Sequence, residues 1–263
     1  MIPKVIHYCW FGRNPKPEIV LHCIESWKKY CPDYEIIEWN EDNFNVNQHP
    51  FMKAAYDAKK WAYVADVARL IVVYENGGVY LDTDVELYRS LNQHLCYDGF
   101  FSFESLTYIN SGLGFGGIPR NPIIGAMLDS YNMLTFGQGK PEACPKVNTS
   151  AIMAVCPELE RNGNKTQVIN NNIFYSAADY SMFAKHLYMM SWIDGTKHEK
   201  GKRKRSKFSM KAQSFFQTPE KIQFMEKHFG GKGLKIYTFF AYDFFDCGIW
   251  YFCKRALNKL KSN

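Results

Sequence analysis

The run Glu75 to Val85, Glu-Asn-Gly-Gly-Val-Tyr-Leu-Asp-Thr-Asp-Val, constrains this chain more than any other stretch. Asn76, Gly77 and Gly78 form a turn signal of the kind that closes a helix, and Val79, Tyr80 and Leu81 make a short apolar run suited to a buried strand. Two carboxylates follow at once. In extended chain alternate side chains share a face, so Asp82 and Asp84 are expected to point the same way where a strand of an open α/β sheet leaves the core. That is the end at which such sheets bind ligands. A carboxylate pair with open coordination positions suits a hard divalent cation, Mg²⁺ or Mn²⁺, which completes its shell with water and phosphate oxygens. An isolated Asp-x-Asp more often caps a turn; here the preceding helix, Gly-Gly turn and strand favour the ligand site.

The helix expected before that turn, Trp61 to Glu75, places Val64, Val67, Ala68, Ile71 and Tyr74 on one face and Ala62, Ala65, Asp66, Arg69 and Val73 on the other. Almost none of it wants water. Asp66 and Arg69 are either a simple ion pair three residues apart, contributing about 0.2–0.5 kcal/mol, or a buried pair turned toward a ligand. Both readings stay open. Upstream, Lys4 to Trp10 reads as a first strand, Glu18 to Tyr30 as a helix, Tyr34 to Trp39 as a second strand and Phe51 to Lys60 as a short helix. This is a βαβ opening. Trp10, at the carboxyl end of the first strand, is a core aromatic or a platform for a stacked base. Downstream, residues 121–134 and 148–162 read as helices. Gly112, Gly114 and Gly117 spell G-x-G-x-x-G, but Pro119 follows and no acidic residue stands about 20 positions on, so a dinucleotide fingerprint is rejected.

An apolar share of 46% over 263 residues is ample for a core. With no repeat or linker, residues 1–195 are expected to form one body and 196–263 an extension. The N-terminus lacks the basic-then-apolar form of a signal peptide, which points to the cytoplasm. The eight cysteines contain no C-x-x-C pair and are expected to be reduced, without disulfides or zinc. The net charge of +6 is concentrated between Lys197 and Lys211, where eight Lys or Arg meet one acid. Such a block is a solvated loop or a contact for an anionic surface; no aromatic-interleaved motif accompanies it, so nucleic acid is not expected as a partner. From Ile236 to Cys253, nine of eighteen residues are aromatic and two are acids, a composition for packing on the core or lying at a membrane interface rather than spanning it.

Val-Ile-His-Tyr-Cys-Trp-Phe-Gly (5–12), Ser-Trp-Lys-Lys-Tyr-Cys-Pro-Asp-Tyr-Glu (26–35), the Asp66 to Arg69 helix and Gly-Gly-Val-Tyr-Leu-Asp-Thr-Asp (77–84) together resemble the DXD-containing glycosyltransferases of family 32. That family includes bacterial capsular-polysaccharide transferases and fungal mannosyltransferases; the glucosylating domains of large clostridial toxins share the same motifs. The resemblance covers residues 1–120 well and extends loosely to about 195. It implies an α/β fold of the GT-A type, with a Rossmann-like nucleotide-binding half, a mixed central sheet and additional helices. It also implies a nucleotide-sugar donor (a UDP-sugar ahead of GDP-mannose), Mn²⁺ or Mg²⁺, and retention of configuration by front-face substitution. By the same resemblance, Trp10 would stack on the base, Asp66 and Arg69 would hold sugar hydroxyls, and Tyr80 and Asn110 would line the donor site. Asp84 would ligate the metal directly, and Asp82 would contact ribose, sugar and metal-bound water. Ser191 and Trp192 would meet the β-phosphate. Family members usually carry a His-His pair just before Ser-Trp, where this chain has His186-Leu187, so metal ligation from that segment is left open. The expected function is hexosyl transfer to a surface polysaccharide or lipid-linked oligosaccharide at the inner face of the cell membrane. The alternatives are a toxin-like protein glycosyltransferase and a non-catalytic membrane-surface binding protein.

Overall fold

The computed structural model describes residues 1–137 and 143–187. Strand β1 (Val5–Cys9) leads into helix α1 (Glu18–Tyr30) and β2 (Glu35–Trp39); α2 (Pro50–Asp57) and α3 (Trp61–Asn76) then return the chain to β3 (Gly78–Tyr80). After β4 (Val85–Leu87), β5 (Gly99–Ser102) and β6 (Phe115–Gly117) come α4 (Pro122–Asn132) and α5 (Cys144–Val155). The described part ends with β7 (Gln167–Ile169), β8 (Asn172–Tyr175), α6 (Ala177–Tyr180) and β9 (Ala184–His186). Seven strands form one mixed sheet in the order β2-β1-β3-β6-β5-β8-β7, and β4 pairs antiparallel with β9 beside it.

Strand alternation sorts the core into two layers. Cys9, Tyr80, Phe101 and Phe174 meet α2, α3, α4 and α5 on one face. Their neighbours Tyr8, Val79, Phe100 and Ile173 meet α1 on the other. The mixed α/β architecture expected from the sequence is the one observed. Strand β1 is parallel to both β2 and β3, yet the crossover to β2 runs through α1 on one face and the crossover to β3 through α3 on the opposite face. The strand order therefore reverses between β1 and β3. The carboxyl ends of those two strands are thus a topological switch point, the position at which open α/β sheets take ligands.

The helix before the Gly-Gly turn ends as its residues dictate. Gly77 (φ 69°, ψ −168°) closes α3 with its N–H bonded to the Val73 carbonyl, and Gly78 (φ 98°) starts β3. Side-chain room is also missing there: a Cβ on Gly78 would stand 2.9 Å from His7 Nε2. Trp39 Nε1 donates to His7 Nδ1, so Nε2 carries the proton and donates to the Gly77 carbonyl, tying the turn to β1 and β2.

Three expectations need correction. Asp82 and Asp84 are not in extended chain: β3 ends at Tyr80, Asp82 N–H bonds to the Gly112 carbonyl, and Val85 N–H bonds back to the Asp82 carbonyl in a turn. Helix α2 stops at Asp57 rather than Lys60, because Lys59 turns left-handed at φ 56°. Helix α5 spans Cys144–Val155 rather than 148–162: Pro145 suits its first turn, and Pro157 forbids continuation past Cys156. Ser191, Trp192, the 197–211 basic block, the aromatic tail and the proposed extension from 196 lie outside the described residues.

Candidate active site

Asp66 and Arg69 sit one turn apart on α3 and are nearly sealed from solvent, with side chains 13% and 4% exposed. Arg69 Nη2 donates to Asp66 Oδ1 at 2.6 Å, its Nε to the Ala65 carbonyl at 3.0 Å, and its Nη1 reaches Asp82 at 3.5 Å. The simple surface pair is thereby ruled out. Arg69 is a buried cation between two carboxylates, lying over the Tyr80 ring at 5.1 Å. Tyr80 Oη donates to Asp82 Oδ1 at 3.0 Å, so β3 and α3 fix Asp82 from two sides. Burial pushes the pKa of Asp66 and of Asp82 above the usual carboxylate range, against the opposing charge of Arg69; Asp84 raises that of Asp82 further.

On the other side of the turn, Asp84 Oδ1 lies 3.1 Å from His186 Nε2. Strand pairing makes this contact: β4 and β9 align Val85 with His186, and the Leu187 N–H bonds to the Asp84 carbonyl. Burial works against a charge on His186, but the hydrogen bond and charge of Asp84, with the charges of Asp82 and Glu104, raise its pKa overall. Asp82, Asp84 and His186 each offer a ligand atom, and these atoms lie within 4.8 Å of one another. His186, left open from sequence, thus stands at the carboxylate pair. Two carboxylates and one imidazole suit a first-row divalent ion such as Mn²⁺ better than Mg²⁺, which prefers oxygen alone. Gly112 packs so closely that a Cβ would run into Asp82 Oδ2 and stand 3.1 Å from both Arg69 Nη1 and Asn110 Oδ1.

Asn110 is buried and its Oδ1 accepts from the Gly112 N–H at 2.7 Å, while its side chain bonds to the Glu104 carboxylate. Glu104, Gly112 and Cys144, whose thiol bonds to Asp66, were not singled out by sequence reasoning. Each belongs to the site through contacts 20 to 100 residues away, and only the unusual glycine density at 112–117 gave any local signal. Those glycines do enter a strand, β6, and not a helix, which bears out rejection of the dinucleotide motif.

Trp10 is half-buried at the carboxyl end of β1, with its Nε1 donating to the Asn14 carbonyl at 2.7 Å and Lys16 above its ring. Beside it opens a cavity of about 400 Å³ lined by Gly12, Arg13, Asn14, Glu41, Tyr56, Lys59 and Trp61. Aromatic and cationic groups thus follow the carboxyl end of β1, and the acid cluster follows that of β3.

Residues 17–101 match the family described as glycosyltransferase sugar-binding region containing DXD motif. The matched segment is about a third of the chain. It contains Asp66, Arg69, Tyr80, Asp82 and Asp84. Over 119 residues the chain is 34% identical to inositol phosphoceramide mannosyltransferase 3 of Schizosaccharomyces pombe, a match covering 43% of this chain and 33% of that protein. Over 89 residues it is 27% identical to human alpha-1,4-N-acetylglucosaminyltransferase, covering 32% of this chain and 25% of that protein. The chain thus spans about a third of the length of these relatives. Among solved structures, the PaToxG glycosyltransferase superposes with a TM-score of 0.52 at 21% identity, over 60% of this chain and 72% of that one, a likeness of fold.

Proposed function

We propose that this DXD chain transfers a hexosyl group, with retention of configuration, from a nucleoside-diphosphate sugar to a glycan or lipid-linked glycan, using Mn²⁺ or Mg²⁺. One observation carries the reading: Asp82, Asp84 and His186 converge at the open end of β3, beside the buried Asp66–Arg69 pair on α3. Asp82, Asp84 and His186 would hold the cation, whose chemistry there is to neutralise the departing diphosphate. Arg69 aims Asp66 and Asp82, so that both carboxylates accept hydroxyl hydrogen bonds from the donor sugar. Trp10 supplies an aromatic face for the base and the neighbouring cavity supplies polar and cationic groups, with Tyr80 and Asn110 on the donor side. Ser191 and Trp192 take the β-phosphate by resemblance alone. A UDP-sugar is the first candidate donor and GDP-mannose the second, the latter because several similar proteins are named mannosyltransferases. In this reading the enzyme works at the cytoplasmic membrane face, where the 197–211 block would meet anionic lipid.

A screen of UDP- and GDP-sugars, with Mn²⁺ and with EDTA, tests this by nucleotide release and thermal shift. Slow metal-dependent release of one nucleotide is expected. Absence of release and of stabilisation with every donor would remove the proposal.

A further inference from the structure

A short hairpin beside the acid cluster gives Asn110 to the donor side and carries two further side chains, Glu104 and Tyr108, for which the donor reading has no role. Ser102, Phe103 and Glu104 face Asn110, Ile109 and Tyr108 across it: Asn110 N–H bonds to the Ser102 carbonyl at 3.1 Å, Phe103 bridges Ile109, and Glu104 N–H bonds to the Tyr108 carbonyl at 2.8 Å. Antiparallel partners share a face and neighbours alternate. Phe103 and Ile109 therefore fill the core, at 0% and 1% exposure, and Glu104, Tyr108 and Asn110 lie together on the other face. The Asn110–Glu104 side-chain hydrogen bond agrees with that assignment. From the reaction centre outward the strip reads Gly112, Asn110, Glu104, Tyr108.

The outer end is built rather than loose. Tyr108 is 36% exposed, and the Arg161 guanidinium lies over its ring at 5.1 Å while Arg161 Nε donates to the Thr107 carbonyl at 2.9 Å. Gly163 N–H bonds to the Leu106 carbonyl at 2.9 Å, and Gly163 has no room for a side chain against the Ser105 carbonyl. A tyrosine face braced by a guanidinium, next to a half-buried carboxylate and an amide, is the chemistry that holds a ring polyol: the aromatic face takes the C–H face, the carboxylate and amide take hydroxyls.

Resting on the glycosyl-transfer reading above, we propose that Tyr108 and Glu104 form the acceptor subsite. The acceptor presents a hydroxyl-rich six-membered ring, a sugar or an inositol, with Tyr108 stacking on the ring and Glu104 accepting a hydrogen bond from its hydroxyl.

The test uses the full chain, the donor found by the release screen, and three probes: methyl α-D-mannopyranoside, methyl β-D-galactopyranoside and myo-inositol. At least one should accelerate nucleotide release saturably. Tyr108→Ala should then raise the KM for that probe about ten-fold or more, as loss of an aromatic anchor does, with the donor KM moved less than about two-fold; Tyr108→Trp should restore it. Glu104→Gln should lower kcat of the stimulated reaction. Saturation-transfer NMR with the same probes, without donor, should show ring protons contacting wild type and not Tyr108→Ala. Donor turnover with no response to any probe, or an acceptor KM unchanged in Tyr108→Ala, would overturn the subsite. Absence of donor turnover would instead overturn the transferase reading on which it rests.

Discussion

Arg69 neutralises two carboxylates that would otherwise face each other in a low-dielectric site, and this makes it both a structural and a functional residue. Truncation to Ala strands Asp66 and Asp82 without a counter-charge, so a loss of about 3–5 kcal/mol is expected in urea unfolding, in line with other broken buried pairs. Gly112 separates the two roles. An added methyl meets the far end of the Asp82 side chain and displaces it from Tyr80 and Arg69. Gly112→Ala should therefore fold, at a smaller stability cost than Arg69→Ala, and lose about 100-fold or more in donor turnover through misplacement of a reacting group. Equal activity would show that the space above Asp82 is not used. At this scale the sequence was partly legible. Asp66, Arg69, Tyr80, Asp82 and Asp84 announce themselves because a helical period and a turn signal, both local, place them. His186, Glu104 and Gly112 reach the site only through pairing across the fold, which no local pattern encodes.

The α3–Gly77–Gly78–β3 element delivers the acid pairs to a common point. Gly77 holds φ 69° and ψ −168°, a region closed to other residues, and a Cβ would stand 2.7 Å from Pro119 Cδ and 2.9 Å from Pro3 Cδ. Gly77→Ala should cost about 1–3 kcal/mol from backbone strain alone, measured by denaturant unfolding; a smaller effect would mean that the turn can relax. This element was legible almost to the residue, since a helix stop and a strand start share one dipeptide. Asp82 and Asp84 were expected to converge by strand alternation, and they converge by a turn. The difference arises because Asp82 N–H bonds to the Gly112 carbonyl, a tertiary contact that ends the strand early. The end of α2 was misplaced as well: three alanines favour helix, but Lys59 turns left-handed and Trp61 packs back on Tyr56.

Across the whole molecule, the reversal of strand order between β1 and β3 creates the switch point, with a core layer on each face of the sheet. The α1-side layer contains a titratable weak point. His94 is fully buried, stacked on Phe100 and bonded through Nδ1 to Tyr175 Oη at 2.8 Å. Burial lowers its pKa from 6.5 to about 4. The unfolded chain then takes up a proton near pH 6.5 while the folded one does not, so stability is full above that pH and falls as pH drops toward 4, by about 3 kcal/mol in total. Urea unfolding between pH 7 and pH 4.5 should show this slope, and His94→Gln should flatten it by about one proton. An unchanged slope in the variant would place the acid sensitivity elsewhere.

The central claim is that the ends of β1 and β3 bring a metal-binding acid cluster to a nucleotide site. Its most direct test is calorimetric titration of Mn²⁺ into the full chain in the presence of UDP, and in parallel GDP, for wild type and Asp84→Asn. Nucleotide-dependent Mn²⁺ binding in wild type, weakened about ten-fold or more in Asp84→Asn, is the predicted result. Equal Mn²⁺ affinity in the two proteins, or none in either with both nucleotides, would contradict it.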